Sequence, residues 1–102
     1  MAIVELTIIP IGTTSTSLSA YVANMQEVLA QTKEPISYQM TPMSTIIEGE
    51  LDDLFKVISR LHELPFQNGA QRVSTSIKID DRRDQPSSMQ QKMKSVETKL
   101  GL

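Results

Sequence analysis

No cysteine occurs in the 102 residues. Disulfides, thiol catalysis and cysteine-ligated metals are therefore excluded. A chain of this kind suits a reducing compartment, and the expected location is cytoplasmic. Tryptophan is also absent, and two Tyr and two Phe are the only aromatics. Neither sign of charge dominates: 10 Lys and Arg stand against 12 Asp and Glu, for a net charge of −2. Without a basic stripe or stacking aromatics, nucleic acid is not an expected partner. A single histidine, His62, with no cysteine beside it, argues against a zinc site. Long apolar runs are missing too. The opening MAIVELTIIPIG lacks a basic leader, is interrupted by Glu5 and is far too short to span a membrane, so it reads as a strand. Gly12, Gly49, Gly69 and Gly101 are isolated, which excludes a phosphate-binding loop or a dinucleotide fingerprint.

The pattern that is present alternates between two periods. Residues 2–11, AIVELTIIPI, are β-branched and end at Pro10 and Gly12. Leu18, Tyr21, Val22, Met25, Val28 and Leu29 fall at helical spacing, with Thr16 or Ser17 as N-cap and Glu34-Pro35 as the stop. Residues 36–42, ISYQMTP, alternate again, and a turn at Pro42-Met43-Ser44 leads into TIIEGE to form a hairpin. Leu51, Leu54, Phe55, Ile58 and Leu61 predict a second amphipathic helix ended by Pro65. RVSTSIKID, residues 72–80, is a fourth alternating strand, and DDRRDQP reads as a salt-bridged loop. A last helix follows, with Ser88 and Gln91 as a capping box, a Met89, Met93, Val96 and Leu100 stripe, and Gly101 as its stop.

The order β-α-β-β-α-β plus a C-terminal helix predicts an α+β, ferredoxin-like sandwich, a single domain over residues 1–102. Both main helices should cover one face of a four-stranded antiparallel sheet. Val4, Leu6 and Ile8 belong to that covered face. Ile3, Glu5, Thr7, Ile9, Ser37, Gln39, Thr41, Ile46, Glu48, Arg72, Ser74, Ser76 and Lys78 fall on the other. Antiparallel sheets often carry one wet face. The isoleucines among these polar groups suit packing on another subunit, or a small-molecule site.

No acid/base pair or nucleophile arrangement stands out, so enzyme chemistry is not expected. His62, beside Glu63 near a helix end, reads as a capping or salt-bridging group. Asp52 and Asp53 sit in a first helical turn, where the dipole favours carboxylates. Glu48 is the misfit: a carboxylate in the short β-branched run TIIEGE. It either pairs across the sheet with Arg72 or Lys78, or with the same residues of another subunit, or faces a ligand.

The runs PMSTIIEGELDD (42–53) and RVSTSIKIDDR (72–82), with Lys92, Ser95 and Val96, resemble the small thiamine-binding protein family, formerly a domain of unknown function. Pro10, Gly12, Tyr21 and Val22 fit the same pattern. The resemblance implies a ferredoxin-like fold, dimers made by stacking sheets and tetramers as pairs of dimers. It also implies binding of thiamine or its hydroxymethylpyrimidine portion without catalysis. An aminopyrimidine needs a carboxylate, hydroxyls and an apolar wall, and Glu48, Thr45, Ser37, Ser76 and Tyr38 are residues of those kinds. By alternation, Tyr38 and Thr45 should fall on the helix side unless a bulge intervenes. The expected protein is thus a cytoplasmic homodimer or homotetramer binding a small molecule, with no cofactor. An assembly or regulatory module without a ligand is the alternative, and an enzyme using Glu48 as base the third reading.

Overall fold

The computed structural model describes residues 1–12, 18–84 and 88–101. Strand β1 is Ala2–Pro10, helix α1 Ser19–Ala30, β2 Ser37–Met40, β3 Thr45–Gly49, α2 Leu51–Gln67, β4 Val73–Asp81 and α3 Met89–Lys99. The strands form one antiparallel sheet in the order β2-β3-β1-β4. This is the expected ferredoxin-like α+β architecture with an added C-terminal helix.

The side-chain period of two decides the layers. In the central strand β1, Val4 lies opposite Ile47 and Ile79, and Leu6 opposite Thr45 and Ile77. Val4, Leu6, Ile8 and Ile47 are buried under Met25 and Leu29 of α1 and Leu54, Val57, Ile58 and Leu61 of α2. The four α2 residues are spaced i, i+3, i+4, i+7, a single helical stripe. Phe55, expected in this stripe, instead points outward and is exposed, and Val57 takes its place in the core. Coverage fades toward the sheet edges. Ile77 and Ile79 of β4, and Tyr38 and Met40 of β2, lie on the helix side yet remain exposed.

Pro65 does not end α2, which continues to Gln67. A proline has no N–H to donate to the preceding turn, but here the end is closed by other bonds. Asn68 N–H donates to the Leu64 and Pro65 carbonyls and Ala70 N–H to Pro65 O. The longer helix moves His62 away from the end. His62 Nδ1 is hydrogen-bonded to Thr75 Oγ1 at 2.6 Å, and its ring meets Phe66 edge-on, so it ties α2 to β4 rather than capping a helix. The N-cap expected at Thr16 or Ser17 lies outside the described residues. Across the helical layer, Arg60 of α2 grips Glu34 after α1 through both carboxylate oxygens, which holds the Glu34 pKa down to about 2.

Gly49 closes β3 where the chain segment 35–36 crosses it. An added Cβ would lie 3.0 Å from Ile36 Cγ2 and 3.3 Å from the Pro35 carbonyl oxygen. Crowding of this kind costs about 1–3 kcal/mol. Gly49→Ala is therefore expected to lower the denaturant midpoint without changing the slope of the transition. An unchanged midpoint would mean that Ile36 gives way freely.

Helix α3 stands apart from the layers. Ser88 Oγ accepts the Gln91 N–H at 3.0 Å, one half of the expected capping box, and Gly101 has the positive φ of 75° that ends the helix. Every residue from Gln90 to Gly101 is exposed. The apolar stripe is exposed with the rest: Met93 by 61%, Val96 by 53% and Leu100 by 68%.

Candidate functional site

The sheet face away from α1 and α2, the open face, can be read row by row from the strand register. One row runs Ser37, Glu48, Ile3, Asp80 across β2, β3, β1 and β4. The next runs Gln39, Ile46, Glu5, Lys78. Thr7 and Ser76 pair beyond that, then Ile9 and Ser74. Side chains directly opposite each other in such rows have Cβ atoms about 4.5–5.5 Å apart. Ser37 and Glu48 are therefore immediate neighbours, a hydroxyl beside a carboxylate.

Glu48 does not face Arg72 or Lys78. Lys78 lies opposite Glu5, and Arg72 lies at the far end of the face, its carbonyl accepting from Ile11 N–H. The Glu48 partner comes from much further along the chain. Its Oε2 accepts the backbone N–H of Met89, the first residue of α3, at 2.8 Å. In the same row, Lys92 Nζ contacts Asp80 Oδ2 at 2.8 Å. The first turn of α3 thus sits on the open face between two carboxylates, one on β3 and one on β4, with Ile3 between them.

Of the five residues singled out from the sequence, Glu48, Ser37 and Ser76 lie on the open face. Ser76 is four residues along β4 from the Glu48 row and two strands across, roughly 16 Å from Glu48 at ordinary strand spacings. It does not share a small-molecule contact with Glu48. Thr45 sits opposite Leu6 in regular pairing and is only 4% exposed, so no bulge turns it outward. Tyr38 lies opposite Ile47 on the helix side, at the exposed sheet edge. The five therefore divide into a Glu48–Ser37 pair and three residues remote from it. Asp80 belongs to the row, opposite Ile3 and within β4, and is not part of the charged loop DDRRDQP. Extending the alternation Ser74, Ser76, Lys78 by one step would have found it.

Two surface concavities lie elsewhere. One, about 520 Å³, is lined by Ile11, Tyr21, Asn68, Gln71 and Arg72 among others and offers a cation but no carboxylate. A second, about 420 Å³, includes Glu50, Asp81 and Arg83. Two of its three acids have partners: Glu50 lies 3.9 Å from the Met1 ammonium, and Asp81 pairs with Arg83 at 2.7 Å, which pulls the Asp81 pKa down and the Arg83 pKa up; Asp52 is the third, in the first turn of α2. Among the described residues, no group of three His, Cys, Asp or Glu is placed to hold a metal ion, and no helix is long and apolar enough to cross a membrane.

Chemically, the Glu48–Ser37 pair can accept from an amino group and exchange hydrogen bonds with a ring edge. The hydrogen bond from Met89 demonstrates that the carboxylate is aimed at a donor above the sheet. Residues 4–97 match the family described as thiamine-binding protein. The UPF0045 protein YqgV of Bacillus subtilis (strain 168) is 55% identical over 102 residues, covering 98% of each chain. A UPF0045 protein of Staphylococcus xylosus is 51% identical, covering 98% of this chain and 95% of its own. Among solved structures, the hypothetical protein MJ1052 of Methanocaldococcus jannaschii superposes with a TM-score of 0.81 at 32% identity, over 93% of this chain and 94% of the other. A candidate thiamine biosynthesis/salvage protein of Thermotoga maritima shares the fold, with a TM-score of 0.73 at 17% identity over 93% and 97% of the two chains.

Proposed function

The chain belongs to the thiamine-binding protein family, and on that footing we propose that it is a non-catalytic, cytoplasmic binder of thiamine or hydroxymethylpyrimidine, working as a homo-oligomer. The observation that carries the reading is the Glu48 carboxylate beside Ser37 on a mixed apolar-polar sheet face, already accepting an N–H at 2.8 Å. An aminopyrimidine presents N–H donors of the same kind, and the thiazolium of thiamine adds a positive charge that Glu48 and Asp80 would favour. Ile3 and Ile46 supply the apolar floor for the ring. Binding is the role proposed for this set; turnover of a pyrimidine or a thiamine phosphate would instead favour Glu48 as a base.

A thermal-shift screen of thiamine, its phosphates and hydroxymethylpyrimidine tests the proposal. A ligand at a hundred times its Kd stabilises the folded state by ~2.7 kcal/mol, which for a chain of this size raises Tm by about 10 °C or more. No shift with any of them at millimolar concentration would leave the assembly module as the better reading.

Assembly has its own support. The stripe of Met93, Val96 and Leu100 is contiguous along α3 and exposed, and an amphipathic helix of this kind buries its stripe against something. The protein is expected to scatter light with at least twice the chain mass at micromolar concentration. A monomeric mass would contradict this.

A further inference from the structure

We infer that α3 is a latch on the Glu48 site: its first turn occupies the carboxylate and must let go for a cationic ligand to bind. The inference rests on the reading of Glu48 as a ligand group. It starts from two polar contacts between α3 and the sheet, Met89 N–H on Glu48 and Lys92 Nζ on Asp80. Both carboxylates stand in one cross-strand row, on either side of Ile3. The turn is thus clamped across β3, β1 and β4, on the same Glu48 acceptor that a ring bound by Glu48 and Ser37 would use.

The charges make this occupancy competitive. A helix N-terminus carries a partial positive charge, and Lys92 carries a full one. Both lie where a thiazolium or protonated aminopyrimidine would come to rest, so latch and ligand repel each other and seek the same acceptor. The latch is also easy to open. Met89 is half-buried and the rest of α3 is exposed, and the helix holds its own first turn together: Ser88 Oγ accepts from Gln91 N–H and Ser88 O from Lys92 N–H. Release frees the Met89 N–H, the Lys92 ammonium and their two carboxylates, all of which water can satisfy, and uncovers the half-buried Met89 side chain. Lys94 lies on the same helix but makes no contact with either carboxylate among those the structure shows.

Calorimetric titration of thiamine into the full-length wild type, Lys92→Ala and Lys94→Ala, with hydrogen exchange of residues 89–99, tests the latch. Lys92→Ala is expected to bind thiamine roughly 1.5- to fivefold more tightly, from the loss of one exposed anchor. Lys94→Ala removes the same charge without an anchor and should match the wild type. Saturating thiamine should speed exchange in 89–99 of the wild type. Equal or weaker binding by Lys92→Ala, equal tightening by Lys94→Ala, or exchange that thiamine leaves unchanged would each overturn the latch. If none of the proteins binds thiamine, the ligand reading fails and the ligand-free exchange decides the latch: Glu48→Gln and Lys92→Ala must each speed exchange in 89–99, and unchanged exchange overturns it.

Discussion

Leu6→Asp abolishes cooperative folding. Leu6 is 1% exposed in the central strand, with Thr45 opposite on one side and Ile77 on the other. Removing a buried leucine side chain alone costs about 2–5 kcal/mol. The aspartate must in addition bury an unpaired charge or take up a proton to stay neutral, at a further several kcal/mol by order of magnitude. Together these reach the ~5–15 kcal/mol that holds a typical domain folded. Circular dichroism should show no cooperative melt. The neighbouring Thr7→Asp, on the open face opposite Ser76, provides the contrast and should melt close to the parent, as surface substitutions do within ~0.5 kcal/mol. A parent-like melt for Leu6→Asp would mean that the covered and open faces are reversed.

Glu48→Gln leaves the fold standing and weakens ligand binding by about tenfold to a hundredfold. The amide keeps the shape and one acceptor oxygen, so Met89 N–H retains a partner. What disappears is the charge. A charge-assisted hydrogen bond contributes roughly 1.5–3 kcal/mol, which converts to that range of affinities. The same change removes a carboxylate from a helix N-terminus, worth about 0.3–1 kcal/mol of stability. The latch loosens with it, but a looser latch cannot compensate for an acceptor the ligand no longer has. Equilibrium dialysis against labelled thiamine, with a melting curve on the same sample, separates the two effects. Unchanged affinity would remove Glu48 from the site, and lost assembly with a normal melt would make it an interface residue.

What could be read in the sequence followed from local periodicity. The alternation of β1 named both of its faces, and the register confirms Val4, Leu6 and Ile8 as core with Ile3, Glu5 and Thr7 opposite. The α2 stripe identified Leu54, Ile58 and Leu61, but Phe55 and Val57 flank that stripe on opposite sides of the helical wheel, and only packing against the sheet chooses which flank is buried. Pro65 looked like a stop because its missing donor is a local fact, whereas the bonds that carry the chain to Gln67 come from residues after it. The partner of Glu48 was not legible for a related reason. Met89 is 41 residues away in a different element, and a backbone N–H leaves no mark in the sequence. The α3 stripe announces that the helix needs a neighbour without saying which.

The most direct test of the account is a crystal structure of the protein grown with thiamine. The account predicts an aminopyrimidine nitrogen within about 3 Å of the Glu48 carboxylate, Ser37 at the ring edge, and the Met89 N–H no longer on Glu48. Thiamine seated instead in the concavity beside Tyr21 and Arg72, with the Met89–Glu48 bond intact, would contradict it.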